Sequence, residues 1–262
     1  MIDKKTIAKK HFGQNFLQDE FVLDRIIKSI PKMEEVELIE IGAGLGDLTN
    51  KLLSLGNITT YEVDKDLIPY LQKRFSNALQ KGQLKIEVGD ILEIWKKKSL
   101  REKPYFLVSN LPYYIATLLV LKAIKDPLCK GCVVMTQKEV AQKFCAKSED
   151  SDFSALSVLA QSVGSASLLF LVPPEAFIPP PKVTSAVFLI EKTKLLGEDF
   201  LDSLEKLLKV AFNAPRKIIL NNLSKSYAKE KIQNGLKELG VEPTKRPHEI
   251  DISIYHRLLN FL

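Results

Sequence analysis

Glu40-Ile41-Gly42-Ala43-Gly44-Leu45-Gly46 sets glycines at alternate positions between a β-rich run and a helical one. Glycines there allow a tight turn and a close backbone approach to a ligand. Glu62 follows Gly42 by 20 residues, at the end of the next β-rich run. A carboxylate at that distance can accept both hydroxyls of a ribose, so the pattern predicts a nucleoside-containing cofactor. The spacing is G-x-G-x-G rather than the dinucleotide G-x-G-x-x-G, and Asp47 comes next. A carboxylate at a helix start repels a pyrophosphate. S-adenosylmethionine carries no phosphate and has cationic sulfonium and amino groups, so it is expected over NAD. Asp90, in Val88-Gly89-Asp90-Ile91, can accept the adenine amino group while Ile91 covers the ring. Two plainer readings stand beside these. The glycines can form a ligand-free strand–helix turn, and Asp90 alone can be an N-cap.

Ser109-Asn110-Leu111-Pro112-Tyr113-Tyr114 ends another β-rich run. Its chemistry suits an exocyclic amine. The lone pair of adenine N6 is delocalised into the ring and is a poor nucleophile. The side-chain oxygen of Asn110 and the carbonyl of Leu111 can accept its two N–H bonds and aim the lone pair at a methyl group. Pro112 has no N–H and stiffens the turn. Tyr113 can stack on a base taken out of its helix. A sulfonium is already a good leaving group, so no strong base is needed. His11, His248 and His256 lie outside these segments. The plainer reading is a proline turn with a core tyrosine.

The elements that must hold these residues alternate along the chain. Strands are expected at Val36–Ile41, Ile58–Val63, Leu84–Val88, Tyr105–Ser109 and Cys132–Thr136. Helices are expected at Asp47–Leu55, Asp66–Phe75, Ala116–Ile124 and Lys138–Phe144. Ser167–Val172 and Thr184–Glu191 read as a final antiparallel pair. The fold class is therefore α/β and Rossmann-like: a mostly parallel sheet with an antiparallel edge, as in S-adenosylmethionine-dependent methyltransferases. Beyond Lys192–Glu198, apolar residues recur at helical spacing: Phe200, Leu204, Leu207, Leu208, Ala211, Phe212, Ile218, Ile219 and Leu223. Two domains are expected, a cofactor-binding one over 1–194 and a small all-α one over 195–262.

Composition narrows the class. The 262 residues carry 38 Lys and Arg against 32 Asp and Glu, a net charge of +6, with 45% hydrophobic residues. Disordered, collagen-like and coiled-coil chains are excluded. Lys206–Arg246 holds ten basic and three acidic residues, so the excess is concentrated in the helical segment. Smaller basic clusters lie at Lys4–Lys10 and Lys96–Lys103. No apolar run approaches the roughly 20 residues of a membrane span, and no apolar stretch follows the N-terminal lysines. A cytoplasmic protein without membrane association is expected. Cys129-Lys130-Gly131-Cys132 is formally C-x-x-C, but no second pair completes a zinc site. Cys132 opens an apolar run, so reduced structural thiols and no metal are expected.

The motifs, in their order, resemble the ribosomal RNA adenine N6,N6-dimethyltransferases. The likeness runs from about Lys9 to the C-terminal end. It is carried by Lys10-His11-Phe12-Gly13-Gln14-Asn15-Phe16-Leu17, Glu40–Thr49, Asn110–Tyr113 and Gln137-Lys138-Glu139-Val140. Phe177-Ile178-Pro179-Pro180-Pro181-Lys182-Val183 and Ala211-Phe212-Asn213 with Arg216-Lys217 complete it. The resemblance implies dimethylation of two adjacent adenosines near the 3′ end of small-subunit rRNA during subunit biogenesis. It implies that Asn15 and Leu17 hold S-adenosylmethionine together with Gly42, Gly44, Glu62, Asp90 and Asn110. It implies that Phe177 lines the target-base pocket opposite Tyr113, and that Arg216 and Lys217 bind RNA. The expected partner is the small ribosomal subunit or its rRNA, and a monomer is expected. Two alternatives stay open. One is the related large-subunit rRNA adenine methyltransferases of macrolide resistance, which commonly have Ile where this chain has Leu111. The other is a non-catalytic ribosome-assembly factor on the same fold.

Overall fold

The computed structural model describes Lys9 and residues 14–262. Residues 10–13 of the N-terminal motif, and residues 4–8 and 10 of the N-terminal basic cluster, lie outside the described residues. The chain divides into two compact units, one running up to Ala141 and including Ser167–Lys192, the other made of Gln142–Ala166 and Thr193–Leu262.

The elements follow in chain order: β1 (Phe16–Leu17), α1 (Glu20–Lys28), β2 (Glu37–Ile41), α2 (Asp47–Leu52), β3 (Ile58–Glu62), α3 (Ile68–Arg74), α4 (Ser76–Gln80), β4 (Leu84–Val88), α5 (Ile91–Ile94), β5 (Tyr105–Asn110), α6 (Ala116–Lys125), β6 (Cys129–Gln137), α7 (Lys138–Cys145), α8 (Ala155–Ser162), β7 (Gly164–Val172), β8 (Phe177–Ile178) and β9 (Ser185–Lys192). The helices α9 (Glu198–Ala211), α10 (Ile219–Leu223), α11 (Lys229–Glu238) and α12 (Ile252–Leu258) complete the second unit.

Seven strands form one sheet in the order β4-β3-β2-β5-β6-β9-β7. The five from β4 to β6 are parallel, and β9 runs antiparallel to β6. Strands β2, β3 and β5 are buried almost throughout, their polar Glu40, Thr59, Thr60, Glu62 and Ser109 included, because helices cover a parallel sheet on both faces. The chain leaves β2 for β3 on one side and later enters β5 on the other. The glycine turn after β2 therefore sits at the switch point, where an open α/β sheet forms its crevice. A separate two-stranded ribbon pairs Phe16 with Ile178 and Leu17 with Phe177.

Asp126 anchors the opposite end of the sheet. Its buried carboxylate accepts from Trp95 Nε1 at 3.1 Å, Tyr105 Oη at 2.7 Å, Ser99 Oγ at 2.8 Å, and the N–H groups of Leu100 and Leu128 at 2.8 Å each. Cys129 and Cys132 are buried, reduced thiols on β6, and burial pushes Cys129 up to about 11. No metal-binding cluster occurs among the described residues, and no described helix is long and apolar enough to cross a membrane.

The second unit is not one continuous C-terminal stretch: Gln142–Ala166 joins Thr193–Leu262 rather than the sheet unit. The reason is local packing within that unit. The Phe153 ring meets Phe212 at 6.2 Å, Ser162 Oγ lies 2.7 Å from His256 Nε2, and the N–H groups of Thr193 and Lys194 both bond to the Val163 carbonyl.

Candidate active site

Gly42, Gly44 and Gly46 take φ values of 78°, 56° and 83°, a region that side chains disfavour. A Cβ on Gly44 would lie 3.1 Å from the Phe16 ring, so this turn lets the N-terminal arm close over it. The turn, the arm and the ends of β2, β3 and β5 enclose one cavity. The arm contributes Gln14, Asn15, Phe16 and Leu17, and the turn contributes Gly42 through Leu45. Glu40, Asp47, Glu62 and Val63 line another wall, and Asn110 through Tyr114 a third.

Glu62 ends β3 with only 4% of its surface exposed. Its Oε2 accepts the Gly44 N–H and its Oε1 the Asp64 N–H, each at 2.9 Å. Burial raises its pKa despite those two bonds. The carboxylate is thus fixed in rotamer, and each oxygen keeps a lone pair for a hydroxyl donor. Glu40, buried at the end of β2, accepts from Thr49 Oγ1 at 2.5 Å and Thr60 Oγ1 at 3.1 Å. Burial pushes it up to about 7, with Glu62 and Asp47 adding to the rise.

The end of β5 is pinned from both sides. Ser109 Oγ donates to the Ile41 carbonyl at 2.5 Å, and the Leu111 N–H to the Met135 carbonyl at 3.1 Å. Asn110 Nδ2 donates to the Asn15 carbonyl at 3.1 Å. A carbonyl only accepts, so this contact fixes which end of the amide is NH₂ and leaves Oδ1 as the free acceptor. Tyr113 Oη lies 2.6 Å from Ser185 Oγ, which holds its ring at the start of β9.

The structure brings together Asn15, Leu17, Gly42, Gly44, Glu62, Asn110, Leu111 and Tyr113 in one lining. Asp90 and Phe177 are outside it. Asp90 caps α5, accepting the Leu92 N–H at 2.8 Å, so its capping role is the one observed. Its charge acts on the Tyr114 phenol, which does line the cavity and whose pKa is raised by burial and then by Asp90 and Glu62. Phe177 is 2% exposed and packs in the core, because its pairing with Leu17 holds β8 against the arm. Arg216 and Lys217 are exposed in the loop between α9 and α10.

Gln14, Glu40 and Tyr114 also line the cavity. Each stood inside a motif already singled out, but no spacing rule told which members of those motifs face inward. The expected repulsion of pyrophosphate by Asp47 is weaker than the sequence implied, since Arg74 Nη1 pairs with it at 2.8 Å. A stronger discriminator replaces it. The lining holds the carboxylates Glu40, Asp47 and Glu62, and no lysine or arginine among the described residues. Such a surface suits a cationic ligand with ribose hydroxyls and disfavours phosphate.

A doubly wound sheet with a glycine turn and a paired carboxylate at its switch point defines a Rossmann-like methyltransferase. The chain belongs to the ribosomal RNA adenine dimethylase family, whose model matches residues 5–262. It is 48% identical over 263 residues to ribosomal RNA small subunit methyltransferase A of Campylobacter curvus, covering 97% of this chain and 92% of that protein. The protein of the same name in Helicobacter hepaticus is 48% identical over 259 residues, covering 97% and 91%. Among solved structures, a dimethyladenosine transferase from Plasmodium falciparum superposes with a TM-score of 0.75 at 27% identity, over 93% of this chain and 95% of that one. The 23S rRNA methyltransferase ErmE shares the fold, with a TM-score of 0.71 at 24% identity over 95% and 99%.

Proposed function

We propose that this enzyme transfers methyl groups from S-adenosylmethionine to N6 of two adjacent adenosines near the 3′ end of small-subunit rRNA, giving N6,N6-dimethyladenosines. Two relatives of nearly full length, both named for the small subunit, support the choice of subunit. The observation that carries the chemistry is Asn110, lining the cavity with its NH₂ committed to Asn15.

S-adenosylmethionine supplies an electrophilic methyl on a sulfonium. Glu62 would take the ribose hydroxyls, and the backbone of Gly42 and Gly44 allows close approach. Asn15 and Leu17 would close the site from the arm. Asp90 would reach the adenine by a bond its free carboxylate oxygen can still make. In the first transfer Asn110 Oδ1 and the Leu111 carbonyl would accept the two N6 hydrogens, so the nitrogen pyramidalises and its lone pair points at the methyl. The N–C bond would form as the sulfonium C–S bond breaks, with one N6 proton passing to solvent. In the second transfer the single remaining N–H would keep one of the two acceptors. Tyr113 would hold the base by stacking, its ring steadied by Ser185. Phe177 would support the base from behind the arm. Arg216 and Lys217 would contact RNA phosphate, an assignment supported by their exposure and by the basic excess around them.

Incubating the enzyme with purified small subunits lacking the modification, then locating stops by primer extension, tests this. Two adjacent stops near the 3′ end are expected. Modification of the large subunit instead would select the macrolide-resistance chemistry, and no modification of either would select the non-catalytic alternative.

A further inference from the structure

The N-terminal arm is fastened at three places. Phe16 and Leu17 pair with β8, and Asn15 receives the Asn110 amide. The third fastening involves none of the residues assigned above. Asp64, two residues beyond Glu62, is 1% exposed. Its Oδ1 accepts Lys9 Nζ at 2.6 Å and its Oδ2 accepts Gln14 Nε2 at 2.9 Å. Lys9 also reaches Asp66 Oδ2 at 2.6 Å, and its own N–H donates to Gln14 Oε1 at 2.8 Å. Gln14 is therefore gripped from both ends of its amide while its residue lines the cavity.

The backbone of Asp64 faces the other way. Its N–H donates to Glu62 Oε1 at 2.9 Å. One residue thus holds the carboxylate assigned to the ribose through its main chain and the arm through its side chain. Burial alone would raise the Asp64 pKa, but the bonds from Lys9 and Gln14 outweigh it and hold the group ionised. A buried carboxylate of this kind is tolerated only while its cation stays.

We propose that Asp64 and Lys9 are positioning residues for cofactor binding: their ion pair locks the arm onto the β3 turn and so sets the affinity of the cavity for S-adenosylmethionine. The proposal rests on the reading that Glu62 and the arm hold the cofactor. Neither Asp64 nor Lys9 touches the reacting atoms, so the lock acts on binding rather than on the methyl-transfer step.

The test is steady-state kinetics with small subunits, varying cofactor and RNA separately, together with calorimetric titration of S-adenosylhomocysteine. Lys9→Met removes a partly exposed side chain and spares the core. It is expected to raise KM for the cofactor and Kd for S-adenosylhomocysteine roughly tenfold, with kcat at saturating cofactor and KM for RNA held within about twofold. Lys9→Arg should restore most of the affinity. Asp64→Asn should weaken binding similarly, and in the double variant the two losses should not add, as for residues acting as one pair. Unchanged cofactor affinity in Lys9→Met, or a fall in kcat without a rise in KM, overturns the proposal. Glu62→Ala separates the two layers. If it weakens the cofactor and Lys9→Met does not, the lock alone is wrong. If neither weakens it, the cofactor assignment fails as well.

Discussion

The side-chain amide of Asn110 donates to the backbone carbonyl of Asn15 across 95 residues of chain. The residue that would orient the methyl acceptor also holds the arm that closes the cofactor cavity. Asn110→Ala should lower kcat by about 10²–10³-fold, the cost of losing one well-placed polar group at a reacting centre. Because the arm keeps its other two fastenings, S-adenosylhomocysteine should bind within severalfold of its original affinity. Single-turnover methylation alongside calorimetry checks both, and full activity in the variant removes Asn110 from the mechanism.

Glu62→Ala should weaken the cofactor by tenfold or more, on the order of the loss of a charge-assisted hydrogen bond. It also strips partners from the N–H groups of Gly44 and Asp64. A drop in thermal stability of the ligand-free protein should therefore accompany the loss. Glu62→Gln, which keeps an acceptor, should retain more stability than affinity.

The protonation of Glu40 gives a pH dependence with a definite direction. Its pKa is raised from 4.5 unfolded to about 7 folded, so the folded state binds the extra proton between those values. Stability from this group is full below 4.5 and is lost as pH rises toward about 7. Glu40→Gln should flatten that part of the curve. Melting temperatures of the two proteins across the window, compared as a difference, isolate Glu40 from Glu62, whose pKa also rises.

Replacing Arg216 and Lys217 by alanine should weaken RNA binding at low salt and reduce its log–log salt slope by about 1.4, two contacts at about 0.7 each for a single strand. Cofactor affinity should not change. A slope equal to that of the parent protein takes both residues out of the interface.

Asp126→Ala leaves five donors without their carboxylate, among them the buried Trp95 and Tyr105. A loss of about 3–5 kcal/mol is expected, visible as a lowered urea midpoint.

What could be read from sequence follows a physical division. Strands β2 to β6 and the glycine turn were legible because they depend on local composition and period. The place of Glu62 at the end of β3 was legible because one turn, one short helix and one strand separate it from Gly42. The two-residue strands β1 and β8 were not, since their pairing joins residues 160 positions apart and has no local period. That pairing is also why Phe177 lies in the core rather than in the lining. Asp90 had two readings with the same sequence signature; the bond to Leu92 shows the cap, and it uses one carboxylate oxygen and leaves the other to the proposed adenine contact. The segment around Phe153 fell to the helical unit through contacts distant in sequence, Phe153 with Phe212 and Ser162 with His256 among them, which no periodicity reports. Family resemblance supplied the roles of Asn15 and Leu17, and the carbonyl bond from Asn110 gives Asn15 a physical reason.

The cation-free, acid-lined wall of the cavity has a consequence for what can enter it. An RNA strand is a chain of anions, and an acidic lining without lysine or arginine among the described residues repels its backbone, through Glu62 above all, since Arg74 offsets Asp47 and burial pushes Glu40 up to about 7. A nucleobase carries no charge. The same electrostatics that favour a sulfonium therefore act as a filter on the substrate, admitting a base swung out of its strand while the sugar–phosphate backbone stays outside.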